Sequence, residues 1–275
     1  MDVLASGYGL VEGPRADERG GVYFSDVHRG GVYRLDANGA LETVVPKRRG
    51  VGGIALHADG GVVVSGRNIC HVKDGQTRVV FGPEGGPGFN DLTVDASGAV
   101  LTGSIRDDPF KASTQRVAGE AYRITGDGQA HVVYDDVSLS NGIGLSPDGS
   151  RIYHSDTARR HIIVHRLTDT RQCVDRGVLA ETPRGAPDGL AVDEAGCVWV
   201  AAYGGGCVTR FTPDGAVDMH LEVPATAVTS LSFGGADRRE LYIASADNTE
   251  APELGGTLFR TRVQTGGLAV PLARI

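Results

Sequence analysis

Apolar and polar residues alternate along this chain in short runs that break at glycine- and aspartate-rich turns and then resume. In "SNGIGLSPDGSRIYHSD" (Ser140 to Asp156), Ile143 and Leu145 alternate up to Pro147-Asp148-Gly149, and Ile152-Tyr153 take the pattern up again. A period of two on either side of a tight turn predicts a β-hairpin. The hairpin recurs as "GGIALHADGGVVVSG" from Gly52, "NDLTVDASGAVLTGS" from Asn90, "DGLAVDEAGCVWVAA" from Asp188 and "TSLSFGGADRRELYIAS" from Thr229, with a weaker copy, "EGPRADERGGVYFSD", from Glu12. Successive copies start 40, 38, 51, 47 and 41 residues apart. That spacing, filled with short alternating strands, is the period of a four-stranded β-propeller blade.

The units can be read strand by strand. In the first, "PRAD" is the expected inner strand A, "GVYFSD" strand B, "GVYRLD" strand C and "LETVV" strand D; the unit from Asp188 repeats this with "GLAVD", "CVWVAAY", "CVTRFTPDG" and "VDMHLEV". No amphipathic helical pattern longer than about ten residues occurs. The expected fold is all-β: a six-bladed β-propeller with four antiparallel strands per blade, one domain spanning residues 1–275. The terminal segments "DVLASG" and "GLAVPLARI" are expected to share the last blade and close the ring, which removes open sheet edges.

In a propeller the inner strands surround a central channel, so one repeat position forms a ring around its axis. Here that ring reads Glu12, Gly52, Asn90, Asn141, Asp188 and Thr229. Asn-Gly and Asp-Gly are also common turn dipeptides, but these side chains fall in one slot of a repeat defined without them. Two carboxylates and two amides converging on an axis suit a hard divalent cation such as calcium, magnesium or manganese.

Composition adds exclusions. With 27 basic against 34 acidic residues and a net charge of -7, nothing marks a surface for nucleic acid or an anionic membrane. The start "MDVLASGYGL" has neither the basic nor the apolar region of a signal peptide, and no run approaches the ~18 apolar residues of a membrane helix. Cys70, Cys173, Cys197 and Cys207 show no zinc spacing and are expected as free thiols, although Cys197 and Cys207 are placed so that a disulfide is possible. The expectation is a cytoplasmic protein with a small-molecule partner, monomeric or weakly homo-oligomeric.

Competing chemistries find no support. No G-x-S-x-G elbow occurs. His161 and His165 in "HIIVH" lie on an alternating strand and are expected to face solvent. The glycines of "GPEGGPGFN" and "YGGGC" do not join a strand to a helix as a phosphate loop does. "LDANG" and "TGDGQ" lack the later glutamate of a calcium loop and read as hairpin turns.

"VEGP" (Val11 to Pro14), "FNDLTVDASG" (Phe89 to Gly98), "LSNGIGLSPDG" (Leu139 to Gly149) and "PDGLAVDEAGCVWVA" (Pro187 to Ala201), in this order over nearly the whole chain, resemble the SMP-30/gluconolactonase (regucalcin-like, LRE) family of six-bladed propellers. The resemblance implies a lactone-opening hydrolase with one divalent metal, calcium foremost and magnesium, manganese, zinc or iron admissible. Glu12, Asn141 and Asp188 would hold it; Asn90 would complete the set or contact the substrate. A metal-polarised carbonyl and a water activated by Asp188 would be the working parts. Related propellers hydrolyse organophosphates, so a phosphotriesterase on the same ring is the nearest alternative; a non-catalytic, calcium-stabilised interaction propeller is another. Gly88 stands where sugar-lactone members usually carry Arg, which removes a donor fork for sugar hydroxyls and points away from an aldonolactone.

Because strand A starts at the metal end, the B–C loops and D-to-A crossings surface there too. They carry His28, Arg67, Tyr203 and Asp247-Asn248, with Lys47, Arg48 and Arg49 on one crossing. The B–C loop from Gly103 to Gly119 is longer than its counterparts and is read as a possible lid. The expected substrate-binding set is His28, Arg67, Asn90, Arg106 and Tyr203, and the cluster Arg48, Arg49, Arg67 and Arg106 points to an anionic or strongly polar substrate.

Overall fold

The runs of alternating residues form six antiparallel sheets of four strands each. The computed structural model describes residues 1–82, 84–111, 116–168, 170–246 and 251–275, and among these there is no α-helix. The inner strands are Val11–Ala16, Ile54–Leu56, Gly88–Val94, Ser140–Leu145, Ala186–Val192 and Val228–Gly234. They are largely buried, whereas outer strands such as Leu41–Val45 and Gln76–Phe81 are mostly exposed. The core therefore lies between neighbouring blades. Val32 and Val45 of blade 1 pack with Ile54, Val62 and Val64 of blade 2, and Tyr153 and Ile162 of blade 4 pack with Leu190, Val198 and Phe211 of blade 5.

The ring is closed at the last blade. Val228–Gly234, Glu240–Ser245 and Gly256–Arg262 supply three strands, and Asp2–Tyr8 adds the outermost one, pairing Asp2 with Arg260 and Val3 with Phe259. The N-terminal expectation holds, but "GLAVPLARI" does not join the blade. The edge it would have used is taken by Asp2–Tyr8, and Pro271 has no amide to donate to a ladder. The tail instead crosses the face of the A–B turns. The Leu268 amide donates to the Val192 carbonyl on blade 5, the Ala273 amide to Leu56 on blade 2 and the Arg274 amide to Gly98 on blade 3.

A second correction concerns His165. It is buried, its ring stacked 4.2 Å from that of Tyr134. A middle strand of a blade has a neighbouring blade on each face, so alternation along it does not create a wet side. The turns at "LDANG" and "TGDGQ" are hairpin turns as expected, and all four cysteines are free.

Candidate functional site

Five of the six slot residues sit where the inner strand breaks register with strand B: the ladder slips between Glu12 and Arg15, Phe89 and Leu92, Ser140 and Ile143, Pro187 and Leu190, and Val228 and Ser230. A bulge of this kind re-aims a side chain relative to the regular alternation of the strand. The glycine after the slot is not there for a turn. Gly142 lies within a strand, and a Cβ on it would stand 2.2 Å from the Leu190 amide nitrogen of the next blade. The Asn-Gly signature thus records how closely the inner strands approach one another. Gly52, the slot residue of blade 2, serves another purpose. A Cβ there would lie 2.0 Å from the Asn90 Oδ1, so its bareness makes room for that amide.

The two amides are in contact and oriented by carbonyls. The Asn90 Nδ2 donates to the Ser140 carbonyl (3.0 Å) and to the Asn141 Oδ1 (2.8 Å). The Asn141 Nδ2 donates to the Thr157 Oγ1 (3.1 Å), whose own proton goes to the Pro187 carbonyl (2.7 Å). The two carboxylates are buried. Burial and then repulsion from Asp188 and Asp91 push the Glu12 carboxyl well above its usual range; burial and then Asp91 do the same to Asp188. Only the Gly13 and Gly189 amides oppose these shifts. The Asp188 Oδ1 is buried without a hydrogen-bond partner among the described residues.

Among the described residues no three His, Cys, Asp or Glu side chains gather as a metal cluster. The ring is of another composition: two carboxylates and two amides. An all-oxygen set, a partnerless buried carboxylate oxygen and uncompensated like charge together fit one hard divalent cation.

The remaining slots do not contribute such a donor. Gly52 has no side chain, and the Thr229 hydroxyl is turned away to the Val11 carbonyl at 2.6 Å. Of the rim residues, His28 is exposed, its ring 5.1 Å from that of Phe110 on the long third-blade loop. Tyr203 is partly exposed at the end of strand B of blade 5, and Arg67 is exposed on the second-blade loop. Gly66 pairs with Phe89 across the blade 2–3 boundary, which places Arg67 opposite Gly88. Arg106 is held by Glu120, and Arg48 is held by the Ser65 carbonyl and by Asn68. Asp247, Asn248 and residues 112–115 of the expected lid lie outside the described residues.

Three residues near the ring went unread. Asp91 follows Asn90 and is buried below it, its pKa pushed up to about 6 by burial against the pull of Arg15. Arg15 donates from Nε to the Ile54 carbonyl. Both line a chamber of about 830 Å³ together with Leu190, Phe233 and the tail at Leu268 to Leu272. Its lining comes from beyond the ring and from the A–B turns, so this chamber lies at the channel end opposite the rim loops. Thr157 is the third. For Asp91 the clue was available: a charged residue stands where blades 1, 2, 4 and 5 have glycine.

The family profile described as "SMP-30/Gluconolactonase/LRE-like region" matches residues 10–247. The 6-deoxy-6-sulfogluconolactonase of Pseudomonas putida is 35% identical over 266 residues, covering 91% of this chain and 90% of that protein. Pentonolactonase XacC of Haloferax volcanii is 29% identical over 280 residues, covering 94% and 92%. Among solved structures, a calcium-binding protein, regucalcin, from Agrobacterium tumefaciens superposes with a TM-score of 0.86 at 24% identity, covering 99% of this chain and 97% of that one, which shows the shared fold.

Proposed function

The chain belongs to the SMP-30/gluconolactonase/LRE-like family, and from that membership and the oxygen ring we propose that it is a metal-dependent hydrolase that opens a lactone. Glu12, Asn90, Asn141 and Asp188 would hold one divalent ion, calcium best matching an all-oxygen donor set. When bound, such an ion supplies a Lewis acid for an ester carbonyl. The chain's own groups account for the rest. Asp188 is the general base: it is a carboxylate of the slot, ligation through one oxygen would leave the other to take a proton from a water, and burial, then repulsion from Asp91, favour its protonated form. As the water oxygen bonds to the carbonyl carbon, Asp188 takes a proton; the ring C–O bond then breaks and a proton passes to the leaving alkoxide, giving a hydroxy acid. Glu12 serves as a ligand, and Asn90, fixed by the Ser140 carbonyl, keeps its oxygen over Gly52.

The observation that carries this reading is the buried, partnerless oxygen of Asp188 beside a second buried carboxylate. Its test is turnover of a lactone panel by the protein before and after chelation, with calcium restored. Loss and recovery are expected; hydrolysis indifferent to chelation would overturn the metal-dependent reading, and a panel that is inert while phosphotriesters turn over would favour the phosphoryl alternative.

For the substrate, Arg67 and Arg49 are exposed cations with no ion pair among the described residues. Arg67 stands opposite Gly88, where a side chain is missing. Two curated relatives are named for sugar lactones, one of them sulfonated and hence anionic. We therefore place recognition of an anionic lactone on Arg67, with His28 and Tyr203 on the same rim. Arg67→Ala is expected to raise KM for an anionic lactone by about 10-fold or more and to leave a neutral lactone unchanged, read by steady-state kinetics.

A further inference from the structure

We infer that the Thr157 hydroxyl is a positioning group that fixes which end of the Asn141 amide faces the channel, and through it the affinity of the ring for a cation. The inference rests on the metal reading proposed above. Its basis is hydrogen-bond polarity. The Pro187 carbonyl can only accept, and it takes the single hydroxyl proton of Thr157 at 2.7 Å. The Thr157 oxygen is then left with lone pairs alone toward Asn141, so only the Nδ2 end of that amide can face it, as it does at 3.1 Å. The Oδ1 end must point inward, where Asn90 meets it. A flipped amide would set oxygen against oxygen at Thr157 and aim N–H hydrogens at a cation; both are repulsive.

The hydroxyl is itself held firmly. Thr157 follows Asp156, whose carboxylate is buried and accepts the Ser138 and Leu139 amides, and the Thr157 amide donates to the Leu139 carbonyl at 3.0 Å. The Pro187 carbonyl immediately precedes Asp188. One hydroxyl thus joins the ligand-bearing strands of blades 4 and 5 on the ring itself. Groups that orient a ligand from behind typically change metal affinity by about 10- to 100-fold when removed.

The experiment is calorimetric titration of calcium into chelator-stripped protein. Thr157→Val keeps the shape and deletes the hydroxyl; it is expected to weaken calcium binding about 10- to 100-fold, while Thr157→Ser stays close to wild type. In an Asn141→Ala background Thr157→Val should cost nothing further, because the amide it orients is gone. A merely structural role would show the same loss in both backgrounds and would overturn the inference, as would wild-type affinity in Thr157→Val. If Thr157→Val fails to fold by circular dichroism, Thr157→Ala carries the same comparison. Glu12→Gln separates the two readings. Binding that Glu12→Gln abolishes and Thr157→Val leaves intact removes Thr157 alone; a wild-type protein that binds no divalent cation removes both.

Discussion

Glu12 and Asp188 are carboxylates that the fold buries side by side with little to balance them. Their raised pKa values fix the sign of a pH effect. In the metal-free protein folding favours the protonated forms, so this contribution to stability is complete below the unfolded carboxylate range and fades as pH rises through the raised values. Calcium competes with those protons. The calcium-induced rise in melting temperature is therefore expected to grow with increasing pH and to shrink on acidification, measured by thermal melts with calcium or chelator at each pH; a shift independent of pH would contradict the pairing of these groups. Asp188→Asn is expected to retain the fold and much of the calcium affinity while losing turnover by about 100-fold or more. Near-wild-type hydrolysis would remove its assignment as base. Gly52→Ala, which puts a methyl group on the Asn90 oxygen, is expected to weaken calcium binding about 10-fold with little change in circular dichroism. At this scale the sequence was informative where register carried the signal. Glu12, Asn90, Asn141 and Asp188 share a repeat position, and repeat positions become ring positions. Thr157, Arg15 and the burial of His165 were hidden because they depend on partners in another blade or loop, at separations with no periodicity to betray them.

Strands and turns were legible for a related reason: each blade is built from local hairpins whose alternation and glycine turns lie within one repeat. The bulge at the slot was not, since one extra residue in a strand leaves the apolar pattern almost intact. The tail was misread. Its apolar residues look like an edge strand, yet the last blade already has its fourth strand from the N-terminus. What the tail does is tie three blades together at the end away from the ring, with Ala273 and Ile275 buried and the Ile275 oxygen bonded to His57 and Arg78. Burial of an isoleucine stabilises by about 1.5–3 kcal/mol. Deleting residues 268–275 is accordingly expected to lower the melting temperature by several degrees while calcium affinity stays unchanged. A parallel loss of calcium binding would mean that the two channel ends are not independent.

For the whole molecule, the division of labour follows from the geometry of the ring. Inter-blade packing supplies a rigid wall, the N-terminal strand closes it, and the channel receives one residue from each blade at each level. At the slot level four of the six residues carry a carboxylate or amide oxygen; the next residue of blade 3, Asp91, adds another charge and lines the chamber under the tail. A scaffold that collects like charge in its interior loses stability unless something of opposite charge joins it. The most direct test is the stoichiometry and site dependence of calcium binding by calorimetry on chelator-stripped protein. One ion per chain, with binding lost in Glu12→Gln, is the predicted result. A protein that binds no divalent cation, or binds it equally well without the Glu12 carboxylate, would contradict the account.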